Sequence, residues 1–225
     1  MKVRAIVLVV SLLPLGAVTA AHAAKRPAPK PVCNLLTDPQ GDAGIDPVPG
    51  DANDDIVSAD VASDGKKITA VLRMAAMAQP DPAVLGRSLG LEFSARGSEN
   101  TLFLAARTYP TGTKYLFGYT ALDESTGVNT RYTIGEATGS VDPAKKEVRI
   151  TAANAAFAPS GTKLPKGIKL SALTASADRI FGQGVVPSQE VGGERVPLGG
   201  LTLQFDEATG KSYVVGTPSC VKPGS

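Results

Sequence analysis

From Asp55 onward the chain runs through short apolar-alternating segments, each closed by a turn containing Gly, Pro or Asp. That rhythm leaves room for little but β-structure. DIVSADVA (55–62) and KKITAVLRMA (66–75) flank Asp64-Gly65, the dipeptide of a tight hairpin turn. SLGLEFSA (88–95), TLFLAART (101–108), KYLFGYTAL (114–122), TRYTIGEA (130–137) and EVRITAA (147–153) follow. IKLSALTASA (168–177), LTLQF (201–205) and SYVV (212–215) complete the series. About ten strands at this spacing predict an all-β chain, an antiparallel β-sandwich of jelly-roll or Ig-like type. No segment shows a sustained helical stripe with caps, although Pro82 to Leu85 and Ala152 to Phe157 each have room for a short helical turn. The Gly/Pro-rich stretches 157–167 and 182–200 read as connections.

The first residues constrain location. Lys2 and Arg4 precede an apolar run from Ala5 to Leu15, and Ala21-His22-Ala23 offers a small-x-small cleavage site. This pattern is a secretory signal peptide over 1–23, too short for a membrane anchor, and it implies a secreted or cell-envelope protein. AKRPAPKPV (24–32) reads as an extended leader, and 33–225 as a single β-sandwich domain. Cleavage removes His22, the one histidine, and leaves 21 basic against 21 acidic residues. Neutrality argues against nucleic acid or anionic lipid as partner. No later segment has the ~18 apolar residues that cross a bilayer, so no membrane insertion is expected.

Cys33 and Cys220 sit near the two ends of the mature chain. In an exported protein two cysteines usually pair, and domain termini often lie close together. The alternatives are free thiols or a catalytic thiol, and the latter has no histidine to activate it.

Two catalytic patterns occur without their context. Gly86-Arg87-Ser88-Leu89-Gly90 matches G-x-S-x-G, but a strand follows and no mature histidine can take the serine proton. Ser160-Gly161-Thr162-Lys163 matches S-x-x-K, whose Ser-Lys pair needs no histidine, yet Pro159, Gly161, Pro165 and Gly167 oppose the helix it should open. Catalysis is therefore not expected, and a hydrolase using carboxylates or Ser160/Lys163 is the third reading.

The strongest candidate site is acidic. Asp38, Asp42, Asp46, Asp51, Asp54, Asp55, Asp60 and Asp64 fall within 27 residues that hold no Lys or Arg, and they are eight of the chain's thirteen aspartates. So much charge on a folded loop calls for a cation or for full solvation. Calcium suits it, taking six to eight oxygen ligands from carboxylates and carbonyls. The EF-hand pattern fails, with Ile56 where Gly is required and Ala62 at position 12. The plain alternative is a solvated loop of Asx-turns. A weaker candidate is a ligand platform of Tyr115, Phe117 and Tyr119, which strand alternation puts on one face; such a stripe is more often a core face.

Asp38-Pro-Gln-Gly-Asp42, a loop, Asp55-Ile56 and the Asp64-Gly65 hairpin together resemble the start of DOMON-like or CBM9-like β-sandwich modules of exported bacterial proteins. The resemblance covers mainly residues 33–75. It implies about ten strands in two sheets and a structural calcium in the acidic N-terminal loop, and it carries over Asp38, Asp42 and Asp55 as contacts and nothing more; Asp46 and Asp54, from the same acidic cluster, are the alternates. The paired Trp clamp of sugar-binding members and the His/Met haem ligation of redox members have no counterpart here, because the mature chain has no Trp and no His.

The expectation is an exported, non-catalytic binding module, stabilised by calcium at the Asp-rich loop and binding a polysaccharide, a cell-wall component or a protein. The alternative is a structural or interaction protein of the cell envelope with no small ligand.

Overall fold

The alternation seen in the sequence becomes two packed sheets. The computed structural model describes residues 30–45, 48–78, 85–123, 127–181, 188–191, 194–197 and 202–224. Residues 1–29, which hold the expected signal peptide and most of the expected leader, lie outside the described residues, as do Asp46 and Pro82 to Val84 of the expected helical turn.

In chain order the strands begin with β1 (Leu36–Thr37), β2 (Gly44–Ile45), β3 (Val48–Pro49), β4 (Ile56–Ser63), β5 (Lys67–Met74), β6 (Gly86–Ala95), β7 (Thr101–Tyr109) and β8 (Gly112–Asp123). Then come β9 (Val128–Glu136), β10 (Thr138–Asp142), β11 (Glu147–Ala153) and a 3₁₀ helix over Asn154–Ser160. β12 (Lys169–Ile180), β13 (Ser188–Val191), β14 (Glu194–Pro197), β15 (Thr202–Thr209) and β16 (Tyr213–Val214) complete the order. One sheet has the order β1-β4-β5-β11-β10; the other runs β15-β12-β6-β7-β8-β9, with β16 beside β12. β2–β3 and β13–β14 are separate two-stranded ribbons.

The hairpin at Asp64-Gly65 forms as the dipeptide dictates. Gly65 takes φ +88°, and Asp64 Oδ1 accepts from Lys66 N and Lys67 N at 2.7 and 2.8 Å. β4 and β5 then pair antiparallel. Their inward residues Val61, Ile68 and Leu72 meet Leu91, Leu104 and Phe93 of the other sheet in one continuous core. The 3₁₀ helix adds Phe157, edge-on to Phe93 and Phe117 with ring centroids 6.2 and 5.2 Å away.

Two expectations change. The segments read as about ten strands are joined by short ones in polar stretches. β1 immediately precedes the Asp-rich stretch read as a loop, β2 and β3 lie inside it, β10 is the polar TGSVD, and β13 and β14 lie inside the 182–200 stretch read as a connection. β1, β2, β3 and β10 each carry a single core-directed apolar side chain, Leu36 in the main core, Val141 packed against it, and Ile45 and Val48 packed against Phe181, Leu203 and Phe205, so no side-chain alternation announces them. At Ala137, whose N–H donates to Tyr115 O at 2.9 Å, the chain leaves β9 in one sheet and enters β10 in the other. That switch closes one edge of the sandwich.

The termini meet as expected. Cys33 and Cys220 form a disulfide across 187 residues of sequence, with Cα atoms 5.2 Å apart. Main-chain bonds flank it: Cys220 N donates to Val32 O at 3.1 Å, and Val32 N to Pro218 O at 3.0 Å. No helix among the described residues is long and apolar enough to cross a membrane.

Candidate metal centre

The clustered aspartates among the described residues do not share one environment. Some are neutralised by arginines that the fold brings from distant strands. Residues 51–54 form a tight turn in which Asn53 N donates to Asp51 Oδ1 at 2.7 Å and Asp54 N to Asp51 O at 2.9 Å. Asp54 is buried there, yet Arg87 Nε of β6 donates to its Oδ1 at 2.9 Å, and Arg179 Nε and Nη2 of β12 to its Oδ2 at 2.9 and 2.5 Å. Burial raises its carboxyl, but the bonds from Arg179, the Asp51 backbone and Arg87 outweigh that and hold it below the usual carboxylate range. Asp51 Oδ2 accepts from Arg87 Nη2 at 3.1 Å. Asp60, on β4, accepts from Arg73 Nη1 of β5 at 2.8 Å and from Leu35 N at 3.0 Å. Asp64 is an exposed turn residue.

A second group has no such partners. Asp38, Asp42 and Asp206 each place a carboxylate oxygen within 4.8 Å of the other two. None of them, nor Asp55, forms an ion pair with a lysine or arginine among the described residues. Asp55, 3% exposed, accepts from Gly41 N at 2.6 Å through Oδ2 and so holds the turn between Asp38 and Asp42 in place. Its Oδ1 has no donor. The buried side-chain oxygens without a hydrogen-bond partner among the described residues are Asp38 Oδ2 and Asp55 Oδ1. Both belong to this group.

The electrostatics agree. Burial, then the charges of Asp206 and Asp42, push the Asp38 carboxyl up to about 6. Burial also raises Asp206, against the pull of the Ile56 and Glu207 N–H groups that it accepts at 2.6 and 2.9 Å. A proton on Asp38 would let it donate to Asp206, and a cation would satisfy the same deficit more fully. The donor set is all oxygen, drawn from two loop carboxylates and one strand carboxylate with Asp55 behind them, and that chemistry fits calcium.

Of the residues named from the sequence, Asp38 and Asp42 come together with Asp206, which that reading did not name, and Asp55 sits behind the turn that joins them. The available signal was a broken alternation in β15. Phe205 and Asp206 are both buried because the β12–β15 register slips between Ala177 and Asp178, a bulge that turns Asp206 towards the acidic loop. Asp54, an alternate ligand in the sequence reading, is committed to its arginines instead.

The aromatic stripe takes its commoner role. Phe117 is 6% exposed and belongs to the core, and Tyr115 and Tyr119 pack partly buried against it. Tyr119 stacks on Tyr132 across β8–β9, centroids 5.1 Å apart. Ser160 of the S-x-x-K match is buried at the end of the 3₁₀ helix and donates through Oγ to Phe157 O at 2.7 Å. Ser88 of the G-x-S-x-G match lies buried within β6.

No protein-family model, no curated protein and no solved structure matches the chain.

Proposed function

We propose that this protein is an exported, non-catalytic binding module held together by a calcium ion at Asp38, Asp42, Asp206 and Asp55, and that it binds a polysaccharide, a cell-wall component or another protein. One observation carries the reading. Among the described residues, where Asp51, Asp54 and Asp60 find arginines, this group combines converging carboxylates with two orphaned buried oxygens and no lysine or arginine ion pair. Asp55 and Asp206 are buried, Asp38 is half-buried and Asp42 is exposed, and an uncompensated carboxylate at a buried position costs several kcal/mol. A divalent cation between the loop and β15 removes that cost and fastens the N-terminal segment to a strand near the C-terminus. The signal-peptide pattern and the disulfide support an extracellular setting, where calcium is plentiful. The resemblance to DOMON-like and CBM9-like modules supports the binding role.

Thermal unfolding of the mature protein in excess EDTA, followed by calcium or magnesium, tests the cation. Calcium should raise the midpoint and magnesium should do so much less, because binding to the native state alone stabilises by about 2.7 kcal/mol at a hundredfold excess over Kd. Asp206→Asn and Asp38→Asn should each abolish most of the calcium response. No shift at millimolar calcium would leave the group as acidic surface and favour the structural envelope protein.

A further inference from the structure

We infer that a hollow at the end of the sandwich beside Arg87 binds a small apolar molecule carrying one neutral hydrogen-bond acceptor, a carbonyl. The cavity has a volume of about 340 Å³. That lies within the range of small-molecule sites, about 300–1,000 Å³. Met77, Leu89 and Val141 give it apolar walls, and its polar edge is made by Arg87, Asn53 and Thr108.

The polar groups on that edge are not equivalent. Thr108 Oγ1 already shares a hydrogen bond with Thr113 Oγ1 at 3.1 Å. Asn53 Oδ1 accepts from Ala78 N at 2.5 Å, which fixes the amide orientation and leaves Nδ2 with no partner among the described residues. Arg87 is buried and pinned through Nε to Asp54 and through Nη2 to Asp51, while its Nη1 has no partner among the described residues. The uncommitted groups are all donors, so the complementary ligand atom is an acceptor.

Charge selects between acceptors. Arg87 and Arg179 are matched by Asp51 and Asp54, so this corner is neutral before any ligand arrives. A carboxylate would bring an unbalanced charge against apolar walls, whereas a ketone, ester or amide oxygen would not. Because two carboxylates already hold the guanidinium, the donor needs no reorganisation to meet its acceptor. The inference goes beyond the binding-module reading, whose partners are macromolecules, and rests neither on them nor on the cation.

The test uses three probes of similar size on the mature protein: acetophenone, α-methylstyrene, in which a methylene replaces the carbonyl oxygen, and benzoate. The Met77 methyl resonance reports occupancy, in calcium and in EDTA. Acetophenone should shift it saturably in both buffers. α-Methylstyrene and benzoate should bind at least tenfold more weakly. Val141→Trp, and independently Ala78→Phe, should remove the response by filling the hollow. No saturable shift with acetophenone, an equal affinity for α-methylstyrene, or an unchanged response in both filled variants would overturn the inference. The calcium response of unfolding is a separate measurement, so the cation and the pocket can fail independently.

Discussion

Arg179 Nε and Nη2 lie 2.9 and 2.5 Å from the same oxygen of Asp54, tying the turn at 51–54 to β12 across 125 residues of chain. Arg87 holds the other oxygen, and Arg179 also lies over the Phe205 ring at 4.0 Å. One carboxylate thus bonds two buried guanidinium groups, with Asp51 balancing the second charge, and sets the position of the acidic loop. Removing one partner of a buried pair leaves the other charge stranded, at a cost of about 3–5 kcal/mol. Asp54→Asn should destabilise by that amount in urea unfolding, and Asp142→Asn, at an exposed turn, should barely move the midpoint. Equal effects would remove the structural role. The pH sign follows from the lowered carboxyl: Asp54 stabilises fully above its unfolded value near 4 and loses that contribution as pH falls below it.

The disulfide closes nearly the whole domain. Chain entropy assigns such a loop a maximum of roughly 5 kcal/mol, with native-state effects usually reducing it. Flanking main-chain bonds at Val32 and Cys220 remain when the sulfurs are separated, so the reduced protein should stay folded with a lower midpoint. Thermal unfolding with and without reductant, beside Cys33→Ser/Cys220→Ser, measures the loss. An unchanged midpoint would show that the bridge adds nothing to those bonds.

How much of this was legible beforehand depends on side-chain pattern. The longer strands carry apolar alternation, and the Asp64-Gly65 turn names its own hairpin, so both could be read directly. β1, β2, β3 and β10 are short, and one apolar anchor apiece (Leu36, Ile45, Val48 and Val141) leaves no such trace. The acidic stretch was visible as a cluster, but its division was not. Whether an aspartate is structural depends on Arg73, Arg87 and Arg179, which approach only through sheet order. Asp206 is farther still from the loop, 150 residues after Ile56, whose N–H it accepts. A bulge, not a motif, aims it.

Asp178 gives a pH dependence of opposite sign. It is 8% exposed on β12, and burial pushes its carboxyl up to about 6; Arg131 and Arg107 pull it down, and Glu92 pushes it up. A raised folded-state pKa contributes stability that is complete below the unfolded value near 4 and is lost as pH rises through about 6. Two units correspond to a loss on the order of 2–3 kcal/mol. Asp178→Asn should therefore be more stable than wild type at pH 7, and the advantage should shrink between pH 6 and 4. A difference between the two proteins that stays constant over that window would place the charged carboxylate in a solvated or fully compensated setting.

The 3₁₀ helix at Asn154–Ser160 closes the core under the two sheets, and its three anchors should fail unequally. Phe157 is fully buried against Phe93 and Phe117, so Phe157→Ala should cost about 3–5 kcal/mol. Asn154 Nδ2 donates to Leu164 O at 2.7 Å and to Ser63 Oγ at 3.0 Å, joining the helix to the connection after it and to the end of β4. Ser160→Ala removes only the hydroxyl bond to Phe157 O, about 1 kcal/mol. Both sites serve the same turn, so Phe157→Ala/Ser160→Ala should lose less than the sum of the single changes. Urea midpoints of the four proteins measure this. Strict additivity would mean that the serine and the phenylalanine hold separate structures, and a loss at Ser160 as large as that at Phe157 would give its hydroxyl a role that capping does not explain.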